Sequence, residues 1–310
     1  VEDLREVGRR GWFARLEALD LAGWYSTIGE LNTFLRRSDF ARLRELDLTG
    51  RPGLADLPEV LGDAPFRDRL EVLRCGGLPY YYDEGRLDAW ELVRALSATR
   101  LEELGVASCN LTADDLRGLL AAPCCQSLAS LDVRQNDLAA DGWQAFRDAT
   151  CRLRDLDLSN TPLGTDMLDE LVGCGALRDL RRLQLNGCRS ELPGLRALGG
   201  SRFWHQAEAL RMNEGGIGEG ALNPLFAAAG SSALRTLDVA GNWLRDAGVA
   251  RLCAAPWADA LRYLDLSHNY LTDAALRTLA TCDRFQNLHT LHLSNNSVYH
   301  QEGAESHESI

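Results

Sequence analysis

The chain has 310 residues, 45% of them hydrophobic, with a formal net charge of −12 and a pI near 5.0. Such an acidic balance lacks the positive footprint that nucleic acid or an anionic membrane surface requires, and it points to a protein partner of basic or mixed charge. No apolar run approaches the roughly 18 residues that span a bilayer, and the charged start Val1-Glu-Asp-Leu-Arg does not read as a signal peptide.

One frame recurs along almost the whole length. Apolar residues alternate as in a strand, a turn residue follows, and the spacing then becomes helical. The frame restarts at Leu16, Leu43, Leu70, Leu101, Leu128, Leu153, Leu180, Ala207, Leu234, Leu261 and Leu288. The interval is 27 residues, apart from 31 between Leu70 and Leu101 and 25 between Leu128 and Leu153. A period of this size marks a solenoid, in which a unit buries its apolar side only against its neighbours, so residues 1–298 are expected to form one continuous array.

Residues 1–15 read as the helix of an earlier unit, because Leu4 precedes Leu16 by the interval that separates Leu116 from Leu128. The next unit, Trp24-Tyr25-Ser-Thr-Ile28, lacks the turn residue and looks like a terminal variant. The longest unit carries Tyr80, Tyr81 and Tyr82; three consecutive tyrosines cannot all face a core, so this loop is a candidate contact. In the unit that starts at Leu180, Pro193 is expected to shift or shorten the helix.

The unit at Leu261 shows the plan. Alternation sends Leu264 and Leu266 inward and Tyr263, Asp265 and Ser267 outward. Thr272 then reads as a helix N-cap, and Leu276 with Leu279 as the inward stripe, like Leu116/Leu119, Leu168/Leu171, Leu222/Leu225 and Val249/Leu252. At the turn stand Asn136, Asn242, Asn269 and Asn296, with Cys109, Thr161 and Cys188 in their place elsewhere. An asparagine amide both donates and accepts, so it can satisfy backbone groups that neither strand nor helix pairs; the role expected of this ladder is structural. Residues 299–310 lose the leucine stripe and read as a frayed or disordered tail.

The run Leu234-Arg-Thr-Leu-Asp-Val-Ala-Gly-Asn242-Trp-Leu-Arg-Asp-Ala-Gly248 and its neighbours resemble the ribonuclease-inhibitor-like class of leucine-rich repeat, and the resemblance covers nearly the whole chain. It implies an α/β leucine-rich-repeat solenoid, a horseshoe of about eleven repeats with a concave parallel β-sheet and convex helices. It further implies a cytosolic protein that binds other proteins on its concave face and strand-to-helix loops. Extracellular arrays of this kind carry cysteine-rich caps; the nine cysteines here are odd in number and scattered, which favours a reducing, cytoplasmic setting. Every positive side chain is arginine, a bias that suggests a GC-rich, bacterial source.

Side chains projecting from the strands line the concave face. The central column reads Asp20, Asp47, Arg74, Gly105, Asp132, Asp157, Gln184, Arg211, Asp238, Asp265 and His292, an acidic surface interrupted by two arginines. Near the C-terminal end, Trp243, Tyr263, His268, Tyr270, His289 and His292 come from three consecutive units. Aromatic residues bury much area with few rotors, so Trp243, Tyr263, Tyr270, His268 and His292 are candidate anchors, with Asp132, Asp157, Asp238 and Asp265 supplying charge. No cofactor and no metal are expected, since free side chains on a strand face rarely converge into tetrahedral ligation. Cys282 and His289 fall on opposite sides of the sheet, there is no phosphate-binding glycine motif, and the expectation is a non-enzymatic interaction scaffold. Two alternatives remain: a sensing or autoinhibitory arm of a larger bacterial signalling or defence protein, and, remotely, an enzyme or GTPase-activator-like role for an exposed arginine such as Arg74 or Arg211.

Overall fold

The structure, a computed structural model, describes residues 12–24, 26–36, 40–50, 54–77, 87–138, 142–162, 167–188, 192–218, 220–229 and 233–296. The expected half-repeat helix of 1–15 for the most part, the Tyr80–Tyr82 loop and the 299–310 tail lie outside these residues.

Eleven three-residue strands form one parallel sheet in strict chain order. They are β1 (Ala18–Asp20), β2 (Glu45–Asp47), β3 (Val72–Arg74), β4 (Glu103–Gly105), β5 (Ser130–Asp132), β6 (Asp155–Asp157), β7 (Arg182–Gln184), β8 (Ala209–Arg211), β9 (Thr236–Asp238), β10 (Tyr263–Asp265) and β11 (Thr290–His292). Leucine occupies the middle of every strand, and the register stacks these leucines in one row from Leu19 to Leu291. The row is buried from Leu46 through Leu264, because each leucine meets the residue one repeat before and one repeat after it. Period-2 alternation then turns the residue on either side of each leucine toward the opposite face.

Helices return the chain from the end of one strand to the start of the next. The main ones are α1 (Ile28–Leu35), α2 (Leu57–Gly62), α3 (Ala89–Ala95), α4 (Ala113–Ala121), α5 (Gln144–Arg147), α6 (Met167–Leu171), α7 (Leu192–Gly200), α8 (Arg202–Gln206), α9 (Asn223–Phe226), α10 (Arg245–Cys253) and α11 (Asp273–Ala280). Several start where the sequence places a cap. Thr112 accepts from the Asp115 N–H while Asp115 accepts from the Thr112 N–H, and Thr27 with Glu30 repeats the arrangement at α1. Pro193 occupies the second position of the nine-residue α7, where its missing N–H costs nothing; it starts the helix and does not shorten it.

Leu116, Leu119, Leu168, Leu171, Leu222, Leu225, Val249 and Leu252 are buried as the stripe requires. Leu276 departs from it at 49% exposure, and on α11 the buried residue is Ala275. Each inner helix is covered by the next one, and among the described residues no helix follows α11.

The turn ladder is a set of side-chain hydrogen bonds between repeats, linked without a break from Asn242 through Asn269 to Asn296. Asn136 Oδ1 accepts from the N–H groups of Cys109 and Leu111, both at 3.0 Å, and its Nδ2 donates to the carbonyls of Val106 (2.8 Å) and Val133 (2.9 Å). Asn269 accepts from Asn242 (3.0 Å) and Leu244 (3.2 Å) and donates to Val239 and Ser267. Asn296 does the same one repeat on, receiving from Asn269 and Leu271. Cys109 and Cys188 donate a thiol to a carbonyl of the preceding repeat, and the Thr161 hydroxyl donates to Leu158 of its own. The result is an open α/β solenoid with all nine cysteines free and its sheet face continuous over eleven strands.

Candidate partner-binding surface

Register places Asp20, Asp47, Arg74, Gly105, Asp132, Asp157, Gln184, Arg211, Asp238, Asp265 and His292 side by side, one per strand, in a single column. The six aspartates share a second task. One carboxylate oxygen of each accepts from the backbone N–H two residues on, at Ala22, Thr49, Arg134, Ser159, Ala240 and Ser267, over 2.8–3.2 Å. Each aspartate thereby closes the bend after its own strand and keeps its other oxygen for a further contact, which in Asp238 is the Asn213 amide at 2.9 Å. Asp157 and Asp238 are nearly covered, at 7% and 8% exposure, while Asp132 and Asp265 are half-buried. Burial raises the Asp238 carboxyl above its ordinary range, against the hydrogen bonds from Ala240 and Asn213.

The two column arginines differ. Arg74 leans over Gly105 and donates from Nε to Glu103 at 2.6 Å, with Nη1 3.8 Å from Asp47. Arg211 makes one 3.4 Å hydrogen bond to Gln184 and, among the described residues, sits in no ion pair.

Toward the C-terminal edge the anchors separate into two groups. On the sheet face, Tyr263 and His292 meet edge to face with centroids 5.2 Å apart. His292 Nδ1 lies 3.3 Å from Asp265 Oδ2 and 3.4 Å from the Tyr263 hydroxyl, so the carboxylate orients the imidazole. Burial and the charges of Asp265 and Asp238 push the Tyr263 hydroxyl above its ordinary value. Its proton stays on, and the group offers a donor and a ring edge.

The second group stands on the strand-to-helix loops. Trp243 and Tyr270 occupy equivalent places one repeat apart, at 50% and 54% exposure, and both have left-handed backbone, with φ of 57° and 56°. Trp243 carries its six-membered ring over Gly216, the equivalent residue one repeat earlier. His268, beside them at φ 54°, meets the Asn295 amide through Nε2 at 2.9 Å. Left-handed backbone is costly for residues with a bulky side chain and is ordinarily given to Gly, Asn or Asp. Two large aromatic rings are held there with half their surface in solvent.

The sequence reading overlooked the middle of the face. Glu103, Ser130, Asp132, Arg134, Asp155, Asp157, Arg182, Gln184, Ala209 and Arg211 line a recess of about 340 Å³. A signal for it was present in the small residues Ser130 and Ala209, which project from β5 and β8 where neighbouring units place longer side chains. Cys282 lies beyond α11 with its thiol 3.9 Å from the Cys253 carbonyl, and burial pushes the Cys253 thiol up to about 12. His289 Nδ1 lies 2.6 Å from the Asn287 carbonyl oxygen.

Comparison with known proteins agrees with this architecture. A family model described as Leucine Rich repeat matches residues 230–253 and 261–280. An alignment over 172 residues that covers 51% of the chain is 28% identical to the mouse capping protein, Arp2/3 and myosin-I linker protein 2, and it spans only 13% of that protein's length. The yeast Rad7 and Elc1 complex aligns with a TM-score of 0.50 at 17% identity, over 95% of this chain and 82% of that one. The TLR13 chain of a complex with ssRNA13 aligns with a TM-score of 0.49 at 18% identity, over 90% of this chain and 39% of that one. At such identities the likeness is one of fold.

Proposed function

We propose that this leucine-rich-repeat solenoid is a non-enzymatic interaction scaffold that grips a protein on its concave face and its C-terminal aromatic and histidine edge. The observation that carries the reading is the pair Trp243 and Tyr270, two exposed rings kept on left-handed backbone against their conformational preference. Aromatic residues exposed at a conformational cost fit the role of binding anchors. Tyr263, His268 and His292 extend that surface, and the outward oxygens of Asp265 and Asp132 favour a partner of basic or mixed charge. Asp157 and Asp238, nearly covered, act through their field more than by contact. Nine free thiols, among them Cys109 pushed up to about 12 by burial, suit a reducing, cytoplasmic setting. The convex helices favour the ribonuclease-inhibitor-like subtype.

A second reading makes the same surface the sensing or autoinhibitory arm of a longer protein. The short share of the mouse relative that the match spans favours it.

The test begins with capture of partners from source-cell lysate on the immobilised chain. Affinity of the recovered partner is then measured for Trp243→Gly and Tyr270→Gly. Glycine suits left-handed backbone, so both variants should fold at least as stably as the parent. Each should lose about 2 kcal/mol of binding. Full affinity in both variants removes the aromatic edge from the interface.

A further inference from the structure

We propose that the recess at the middle of the concave sheet is a socket for one cationic side chain, arginine or lysine, of the protein partner. The proposal rests on the scaffold reading above and gives it an address on β5 and β6.

Two carboxylates of the recess, Asp132 and Asp157, have one guanidinium, that of Arg134, between them among the described residues. Asp157, 7% exposed, spends one oxygen on the Ser159 N–H at 2.9 Å. Its other oxygen lies 3.8 Å from Arg134 Nη1, beyond hydrogen-bond reach. Asp132, on the neighbouring strand, bonds the Arg134 N–H with one oxygen at 3.1 Å and holds the other 3.5 Å from Arg134 Nε. One exposed guanidinium is thus shared loosely by two carboxylates and fully bonded to neither side chain. A buried carboxylate left this way retains most of its desolvation cost.

The other arginines that line the recess are Arg182 and Arg211. Arg182 is held by both oxygens of Asp155, with Glu208 near its Nη1. Arg74 is held by Glu103, and Arg211 reaches Gln184. The charged groups that line the recess with Asp132 are Glu103 from β4, Arg134 after β5, Asp155 and Asp157 from β6, Arg182 from β7 and Arg211 from β8. Burial, then the charge of Asp157, pushes Asp132 up to about 6 in spite of Arg134. A planar guanidinium entering beside Ser130 could bond the outward oxygens of both aspartates together, and Arg134 is free to swing into solvent as it does so.

The experiment measures binding of a fluorescent, acetylated hexa-arginine peptide to the full chain by anisotropy. Hexaglutamate and calcium are run as alternative probes. Asp132→Asn/Asp157→Asn keeps the oxygens that close the bends, and Asp169→Asn/Asp283→Asn on exposed positions gives the same change of charge. The recess pair should weaken the peptide by about tenfold or more, and the control pair by less than about threefold. Arg134→Gln, which removes the competitor, should tighten binding more than Arg277→Gln does. Affinity of the parent should rise from about pH 5 to pH 7 as Asp132 gives up its proton, and the rise should vanish in Asp132→Asn.

Equal weakening by both double variants, tighter binding of hexaglutamate, or calcium bound at Asp132 and Asp157 would each overturn the socket. If the recess pair does not fold, the two arginine variants decide alone. Loss of the socket with a Trp243-dependent partner still bound would leave the scaffold reading standing.

Discussion

The turn asparagines show how much one side chain can carry in a stacked array. Asn269 satisfies two N–H groups and two carbonyls that have no strand or helix partner. Asn269→Ala should therefore cost about 3 kcal/mol, measured by urea unfolding, since the buried N–H groups of Asn242 and Leu244 lose their acceptor at once. Thr161→Ala, which removes the hydroxyl bond to Leu158, should cost about 1 kcal/mol. Asp132 gives a pH-dependent case with a less usual sign. Its carboxyl binds a proton more readily in the folded chain, near 6, than in the unfolded one, near 3.8. The penalty on its ionised form is absent below about pH 4, grows through pH 6 and is complete above it, so this group removes stability as pH rises. Asp132→Asn should raise stability by about 1–3 kcal/mol at pH 7.5 and change little at pH 4. An equal gain at both pH values would refute the account. The ladder positions were legible residue by residue because an asparagine after an alternating run has few other reasons to recur. The burial of Asp157 and Asp238 was not legible, because neighbouring strands decide how far a side chain is covered.

Among the elements, the helices are short and none would persist alone in water; they exist because a stripe on each packs against its neighbours. Leu116 on α4 and Leu276 on α11 have the same place in the frame, yet Leu116 is fully buried and Leu276 half exposed. Leu116→Ala should cost about 3 kcal/mol, whereas Leu276→Ala should cost less than about 1 kcal/mol, by chemical unfolding of the two variants. A similar loss in both would mean that α11 is covered in solution. The pattern of leucines predicted the stripe correctly and could not say which copies are roofed, since that depends on a second helix and not on the stripe itself.

For the whole molecule, eleven strands about 4.8 Å apart give an inner face roughly 50 Å long, enough to follow the surface of a small protein. The column of aspartates runs across that face with arginines at β3 and β8, so its field should act mainly on encounter. The association rate with a basic partner should fall several-fold between about 0.05 and 0.5 M salt while dissociation changes less. Stopped-flow measurement in both buffers checks this; a salt-independent rate would deny the column a steering role.

By itself the amino-acid sequence determined the repeat, the strand and helix of each unit, the parallel order of the sheet and the single file of side chains along its face. All of these follow from period and alternation, which are local. Only the tertiary structure decided that Asp132 and Asp157 share one loosely held arginine, that Arg182 is locked to Asp155 while Arg211 is not, and that Trp243 and Tyr270 stand on left-handed backbone. Those outcomes depend on distances between residues about 27 apart in the chain and one strand apart in space, and such distances exist only once the units have stacked.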